Sequence, residues 1–291
     1  MNNKRRTTEI VGVIVGLILF AVLFVVVLNA YQQEGENRSA LTTTGATAET
    51  QANRLNISAK VVSIDFNKGE ISVRLVISPE GDLASQDGLA VTKDIKITTN
   101  SDTKGEVLLK KGQRLSASDI TLSLYDGQVS DYPFDSHSAA LDLYATTLAE
   151  DKSELSVPIQ LTFFGSISGV AINAEPDAES NGAYAYIGAT ITRSSVTKAV
   201  AIAIIVFMWL MALTVIALTL SVMLRGRKVE LSMFSWLASM MFALVGFRNA
   251  SPGAPGIGSF MDFISFFWAE ILIAGCVVIL MVINLRRPIG K

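Results

Sequence analysis

Cysteine and histidine are almost missing from this chain: there is one of each, Cys276 and His137, in 291 residues. A single cysteine cannot form an internal disulfide, so every folded part must be held by burial and hydrogen bonding, even in an oxidising compartment. Having one histidine excludes the Cys/His sets of structural zinc sites and any motif that needs two histidines on one helix face. No Walker loop or nucleophile elbow occurs either. "GAPGIG" at 253–258 lacks the spacing and the preceding strand of a phosphate cradle. "EPDAESNG" at 175–182 alternates acids, but Ser180 and Tyr186 stand where a calcium loop needs its glycine and glutamate. No catalytic residue, cofactor or metal site is read from the sequence.

Long apolar runs are plentiful. Mean hydropathy is +0.44, and the apolar residues gather at 10–28, 199–224, 231–247 and 263–285, each near the ~20 residues that cross a ~30 Å hydrocarbon layer. The first is longer than a secretory core and lacks a small-x-small cleavage site, so it reads as an uncleaved anchor. Basic clusters at Lys4–Arg6, Arg225–Lys228 and Arg286–Lys291 fall on one side if each run crosses once, and that side is the cytoplasm. The expectation is therefore a multi-pass protein of the cell (plasma) membrane, with both termini cytoplasmic and residues 32–197 outside. That outer stretch carries 22 acidic against 13 basic side chains, a balance that does not suit nucleic acid.

Residues 31–54 are polar and Thr/Ala-rich and read as a linker. From Leu55 the apolar period becomes two. "LNISAKVVSIDF" and "ISVRLVIS" flank "NKGE", a hairpin with Gly69 at its turn. Alternating runs follow at 89–98, 119–125, 139–145, 155–163, 166–173 and 183–192. About eight strands with short turns imply an antiparallel β-sandwich, with Pro158 marking an edge strand. The fold expected is a membrane α-helical bundle plus an extracytoplasmic all-β domain, the sandwich lying between one N-terminal and three C-terminal transmembrane helices. Its parts are a tip and anchor at 1–30, the linker 31–54, the sandwich 55–197, the helices 198–287 and a tail 288–291.

Within the sandwich, "DYPFDSHSAALDLYA" (131–145) reads as a corner leading into a strand. Pro133 holds Tyr132 extended, Asp131 and Asp135 are suited to capping backbone N–H groups, and His137 shares the parity of the buried Ala139, Leu141, Leu143 and Ala145. His137 is then a packed imidazole bonded to a carboxylate or carbonyl. A metal on Asp131, Asp135 and His137 would have to complete its shell with carboxylates or carbonyls alone. In the third span Ser235, Ser239 and Ala243 recur every four residues and offer a close-packing face, within the bundle or to a partner. Trp268 is placed as an interfacial anchor. Glu270 lies inside the fourth span, where a carboxylate is protonated, paired or faces water, and Arg248 is the basic residue positioned to reach it or Asp262.

The anchor, the "YPFD" strand and the closing segment "RNASPGAPGIGSFMDFISFFW" together resemble the bacterial membrane family catalogued as domain of unknown function 4436, over about 10–287. The resemblance marks Tyr132, Pro133, Phe134, Asp135, Arg248, Pro252, Gly253, Pro255, Gly258, Asp262 and Trp268 as family-type positions and implies no catalytic residue. "YPFDSHSAALDL" is also similar to the stretch of pentameric ligand-gated channels in which Phe-Pro-Phe-Asp opens a sandwich strand. Those channels place all four spans after the sandwich, whereas here one precedes it.

Two functions of different class follow. One is a non-catalytic accessory or scaffold subunit of a cell-envelope complex such as a transporter, whose partners are membrane lipids and other membrane proteins. The alternative is a receptor or ion-conducting protein with a ligand-binding β-sandwich.

Overall fold

The computed structural model describes residues 2–36, 40–44, 52–149, 153–176 and 182–286. By contact density the chain divides into two units. One takes in the first helix up to Gln33, the short segment Ser130–Phe134 and the chain from Ser195 onward; the other runs from Glu34 to Val129 and from Asp135 to Ser194.

The second unit is a β-sandwich-like pair of sheets. Strands β1 (Ala40–Thr44), β9 (Ile159–Gly165), β2 (Leu55–Asp65), β3 (Glu70–Pro79) and β6 (Ser118–Ser123) form one sheet in that order. The other runs β10 (Val170–Pro176), β11 (Tyr184–Arg193), β7 (Ser136–Leu148), β4 (Ile95–Thr99), β5 (Glu106–Leu109), with β8 (Glu154–Ser156) also paired to β7. Period-two alternation explains the core. Leu55, Ile57, Ala59 and Val61 of β2, Ile71, Val73 and Leu75 of β3, and Leu141, Leu143 and Ala145 of β7 all point between the sheets and are buried. The β2–β3 hairpin turns at Gly69, whose φ of 69° is open to glycine without strain. The Asp65 carboxylate accepts from the Asn67 and Lys68 N–H groups and tightens that turn.

The expected sandwich needs four corrections. Its strands are not all antiparallel: β2 and β9 pair in parallel, which is possible because more than ninety residues separate them and leave room for a crossover. The run 155–163 is not one edge strand either. It breaks at Val157–Pro158, with β8 in one sheet and β9 in the other, and β9 is flanked on both sides by β1 and β2. Proline suits this break because it donates no hydrogen bond, and its carbonyl still accepts from the Leu55 N–H at 2.8 Å. The supposed linker contributes β1, whose Ala-Leu-Thr-Thr-Thr pairs with β9 through backbone bonds; the adjoining 45–51 lie outside the described residues. Finally, 89–98 yields a strand only from Ile95, with Ala90 and Val91 in isolated bridges, while β5 is an additional strand.

The first unit is helical. Helix α1 is Asn2–Glu36, α2 is Ser195–Arg225, α3 is Leu231–Asn249, and α4 (Phe267–Arg286) continues directly from a π turn at Asp262–Phe266. Three helices, Ser195–Arg225, Leu231–Asn249 and Asp262–Arg286, are long and apolar enough to cross a membrane; the apolar part of α1 so described, Gly16–Gln32, is shorter. The buried residues of α2 include Thr197, Ala201, Ile204, Met208, Ala212 and Val215, and those of α4 are Ala269, Ile273, Cys276 and Leu280. Both follow the 4-3-4 spacing that keeps one stripe against a neighbouring helix. The faces turned away from these stripes are also apolar, with Leu213, Phe242, Ile271, Val278 and Met281 exposed. Helices apolar on every side are suited to a hydrocarbon solvent and associate with membrane.

Candidate functional site

Two buried polar clusters, one in each unit, take up part of the residues singled out by sequence.

In the helical unit, Arg248 stands in the last turn of α3 and Asp262 opens the π turn before α4. Arg248 Nε donates to Asp262 Oδ1 and Nη2 donates to Oδ2, both at 2.9 Å, and Nη2 also reaches the Pro255 carbonyl at 2.8 Å. Asp262 Oδ2 further accepts from the Gly258 N–H, the Ser259 N–H and the Ser259 hydroxyl at 2.9–3.0 Å. A carboxylate reaching back to the amide three residues earlier is half of a capping box, and it places negative charge at a helix start where the backbone N–H groups favour it. The cation lies at a helix C-terminus, again the favoured end. Of the two acids within the expected reach of Arg248, the short "RNASPGAPGIGSFMD" loop presents Asp262. Glu270 is left half-buried on α4 with no ion-pair or hydrogen-bond partner among the described residues.

The segment Ser130–Phe134 belongs to this same unit. Tyr132 is fully buried among helix residues and its hydroxyl donates to the Pro252 carbonyl at 2.9 Å; the Tyr132–Pro133 bond is cis. Phe134 meets Phe260 edge-on, centroids 6.3 Å apart. Tyr132→Phe is expected to cost about 1 kcal/mol, since it removes one hydrogen bond and leaves a half-buried carbonyl without this donor. Thermal unfolding of the purified full-length protein in detergent measures this; a change under about 0.3 kcal/mol is the contrary result.

Sequence reasoning missed the π turn and what it gathers. Trp209 on α2 donates from its indole N–H to the Ile264 carbonyl at 3.0 Å, and Ser265 Oγ donates to the Met261 carbonyl at 2.7 Å. Helical hydrogen bonding changes register across a π turn, and side-chain donors are welcome there. Trp268 is exposed. The small-residue row on α3 does not face inward: Ser235 and Ser239 are exposed and Ala243 is half-buried, while Leu237, Leu244 and Arg248 form the buried face. Ser239 Oγ is bonded back to the Ser235 carbonyl. Among the described residues this row is therefore not the packing seam of the helices.

In the sheet unit, Asp135 does not cap a turn. Its buried carboxylate receives Arg193 Nε at 3.0 and 2.9 Å on its two oxygens and lies 3.3 Å from His137 Nε2. The register of β7 with β11 pairs Ile191 with His137 and Thr192 with Ser136, so one further step brings Arg193 opposite Asp135. The Arg193 guanidinium carbon sits 3.8 Å above the centre of the Phe66 ring, and Phe66 packs against the His137 ring at 5.2 Å. Arg193 and Phe66 were not singled out by sequence. Their signal was only a charged residue at the end of an alternating strand and an aromatic one at a hairpin. The three-ligand metal arrangement is not assembled: Asp135 is engaged by Arg193, and no group of three or more His, Cys, Asp or Glu side chains gathers among the described residues.

Gly127 closes the cluster. A Cβ there would overlap the His137 ring nitrogen Nδ1 and the Ser136 carbonyl, so only glycine permits this approach. Gly127→Ala must displace β7 or the imidazole and is expected to destabilise by about 2–3 kcal/mol. A melting temperature within a degree or so of wild type would contradict that packing.

Together the two units define a class of protein: a β-sandwich-like domain carried in the chain between apolar helices, its buried charges closed on one another. The chain belongs to the family described as Domain of unknown function (DUF4436), whose model matches residues 45–191. A second family, also described as Domain of unknown function (DUF8686), matches residues 193–287. The family named from the sequence is the one found, but its model covers 45–191 rather than 10–287. Tyr132, Pro133, Phe134 and Asp135 fall within the first match; Arg248, Asp262 and Trp268, with the Pro/Gly segment between α3 and α4, fall within the second. The change occurs where β11 ends and α2 begins. No curated protein matches the chain.

Proposed function

We propose that this protein is a non-catalytic integral membrane subunit, an accessory or scaffold component of a cell-envelope complex such as a transporter. In this reading α1 to α4 all cross the plasma membrane, both termini are cytoplasmic, and the sheet domain lies outside the cell. The positive clusters at the helix ends support the orientation. Partners meet the exposed Ser235/Ser239 side of α3 and the surface of the sheets, while lipid covers the remaining helix faces.

The observation that carries this reading is how the buried polar groups are used. Arg248 with Asp262, Arg193 with Asp135 and Tyr132 with Pro252 are closed pairs, which suits a framework more than turnover. The test is affinity capture of the tagged protein from native membranes in mild detergent, followed by mass spectrometry and sizing. A stoichiometric membrane partner is the expected result; a lone monomer or a pure homo-oligomer counts against it. Protease added to intact cells is expected to degrade the sheet domain, and protection until the cells are broken would reverse the orientation.

Glu270 favours a second reading, a receptor or ion-conducting protein, because it is half-buried in α4 without a described partner. Glu270→Gln would then abolish a ligand or ion response, and an unchanged response removes this reading.

A further inference from the structure

The outward face of β10, β11 and β7 carries a groove of about 470 Å³ lined by Tyr125, Asp126, Asn173, Glu175, Tyr186 and Thr190, among others. Its size lies within the range of small-molecule sites. Strand register builds it: Gly188 sits between Glu175 on β10 and Ala140 on β7, Thr190 between Asn173 and Ser138, and Tyr186 opposite Asp142. All these side chains point outward by the same alternation that sends Ile187, Ile191 and Leu141 into the core.

Gly188 shapes the floor. A Cβ there would stand 3.6 Å from the Tyr186 Cε1 and 3.7 Å from its hydroxyl, so the hydroxyl-bearing edge of the ring borders the glycine at the floor. Tyr125 enters from the opposite wall, held by its bridge to Ser138. The charge of the groove has one sign. Asp126 and Glu175 line it, and no Lys or Arg is among the described residues that do. The Tyr125 phenol is pushed above its ordinary range by burial first, against a backbone hydrogen bond at Ala140 that lowers it, with the Asp142 and Asp102 carboxylates adding to the rise. Two tyrosines framed by carboxylates, with amide and hydroxyl groups between them, repel phosphates and other anions. They suit a protonated amine, which gains from the aromatic lining and from the acids together.

We propose that this groove is a binding site for a small organic cation of the polyamine type, its ammonium groups placed between Tyr186, Glu175 and Asp126 and its alkyl stem along Tyr125. The proposal stands on the sheet domain's own residues and does not depend on the scaffold reading.

Spermidine titrated calorimetrically into the full-length protein in nanodiscs, at fixed ionic strength, is the direct test, with fully N-acetylated spermidine as the uncharged comparator. Saturable binding of spermidine and none of the acetylated form is expected. Glu175→Gln and Tyr186→Ala should each weaken it about three- to tenfold, and Tyr186→Phe should retain it. Asp87→Asn, at an exposed acid not among the groove's lining residues, should leave it unchanged. Equal binding of the two ligands, no saturable heat with spermidine, or equal weakening by Asp87→Asn would each overturn the assignment, the last by showing diffuse attraction. Preference for a lysine-rich peptide over spermidine at the same residues would also overturn it, in favour of a protein partner.

Discussion

Arg248→Met is expected to destabilise the purified, detergent-solubilised protein by about 3 kcal/mol, the lower part of the range for removing one member of a buried ion pair. The reason is what remains. Asp262 is fully buried, and without the guanidinium its carboxylate keeps three donors, from the Gly258 and Ser259 N–H groups and the Ser259 hydroxyl. Those three partners, together with the helix start, soften the loss without replacing a cation. The converse change, Asp262→Ala, strands Arg248 with only the Pro255 carbonyl as a described acceptor and removes the cap as well, so it is expected to cost more, about 4–5 kcal/mol. Arg248→Lys should recover little, because a single ammonium cannot make both contacts to the carboxylate and the carbonyl contact in the same geometry. Chemical unfolding of the four proteins in one detergent gives the order, and a double-mutant cycle gives a coupling of about 2 kcal/mol or more. An Arg248→Met protein within about 0.5 kcal/mol of wild type would show that the pair contributes nothing to stability.

This pair also marks how far sequence reaches. Arg248, Asp262 and Glu270 were all visible as charges out of place among apolar residues, so the existence of a polar centre was legible. Which acid takes the arginine was not. That choice depends on a loop of a dozen residues and on the π turn, and neither leaves a periodic trace in the sequence. The strands divide in the same way. β2, β3, β7 and β11 were evident because each buries every second side chain. β1 was not, since Ala-Leu-Thr-Thr-Thr gains its place through backbone pairing to β9, for which polarity gives no signal. The run 155–163 was misread for a related cause: its apolar alternation continues unbroken through Val157 and Ile159, although the chain changes sheet between them. Both sheets face one core, so the pattern is the same whichever sheet a residue joins.

Arg193→Met is the second large effect, at about 3–5 kcal/mol. Here the carboxylate has no helix start and no described backbone amide to fall back on. Asp135 is completely buried in its side chain, and its remaining described contact is the His137 ring at 3.3 Å. The arginine also contributes its stacking on Phe66, which methionine replaces only in part. Two variants separate the charge effect from packing. Arg193→Lys keeps the charge but gives up the planar contact with Phe66, and is expected to fall between wild type and Arg193→Met. The double change Arg193→Met with Asp135→Leu removes both charges and is expected to recover most of the lost stability, since apolar replacement of a whole buried pair is often neutral. A double variant no better than Arg193→Met would mean that shape, and in particular the tight fit of Gly127 on His137, dominates the cluster. The pair would then serve to fix β11 in register with β7, since a slip of one residue would turn Arg193 away from Asp135 and Ile191 out of the core together.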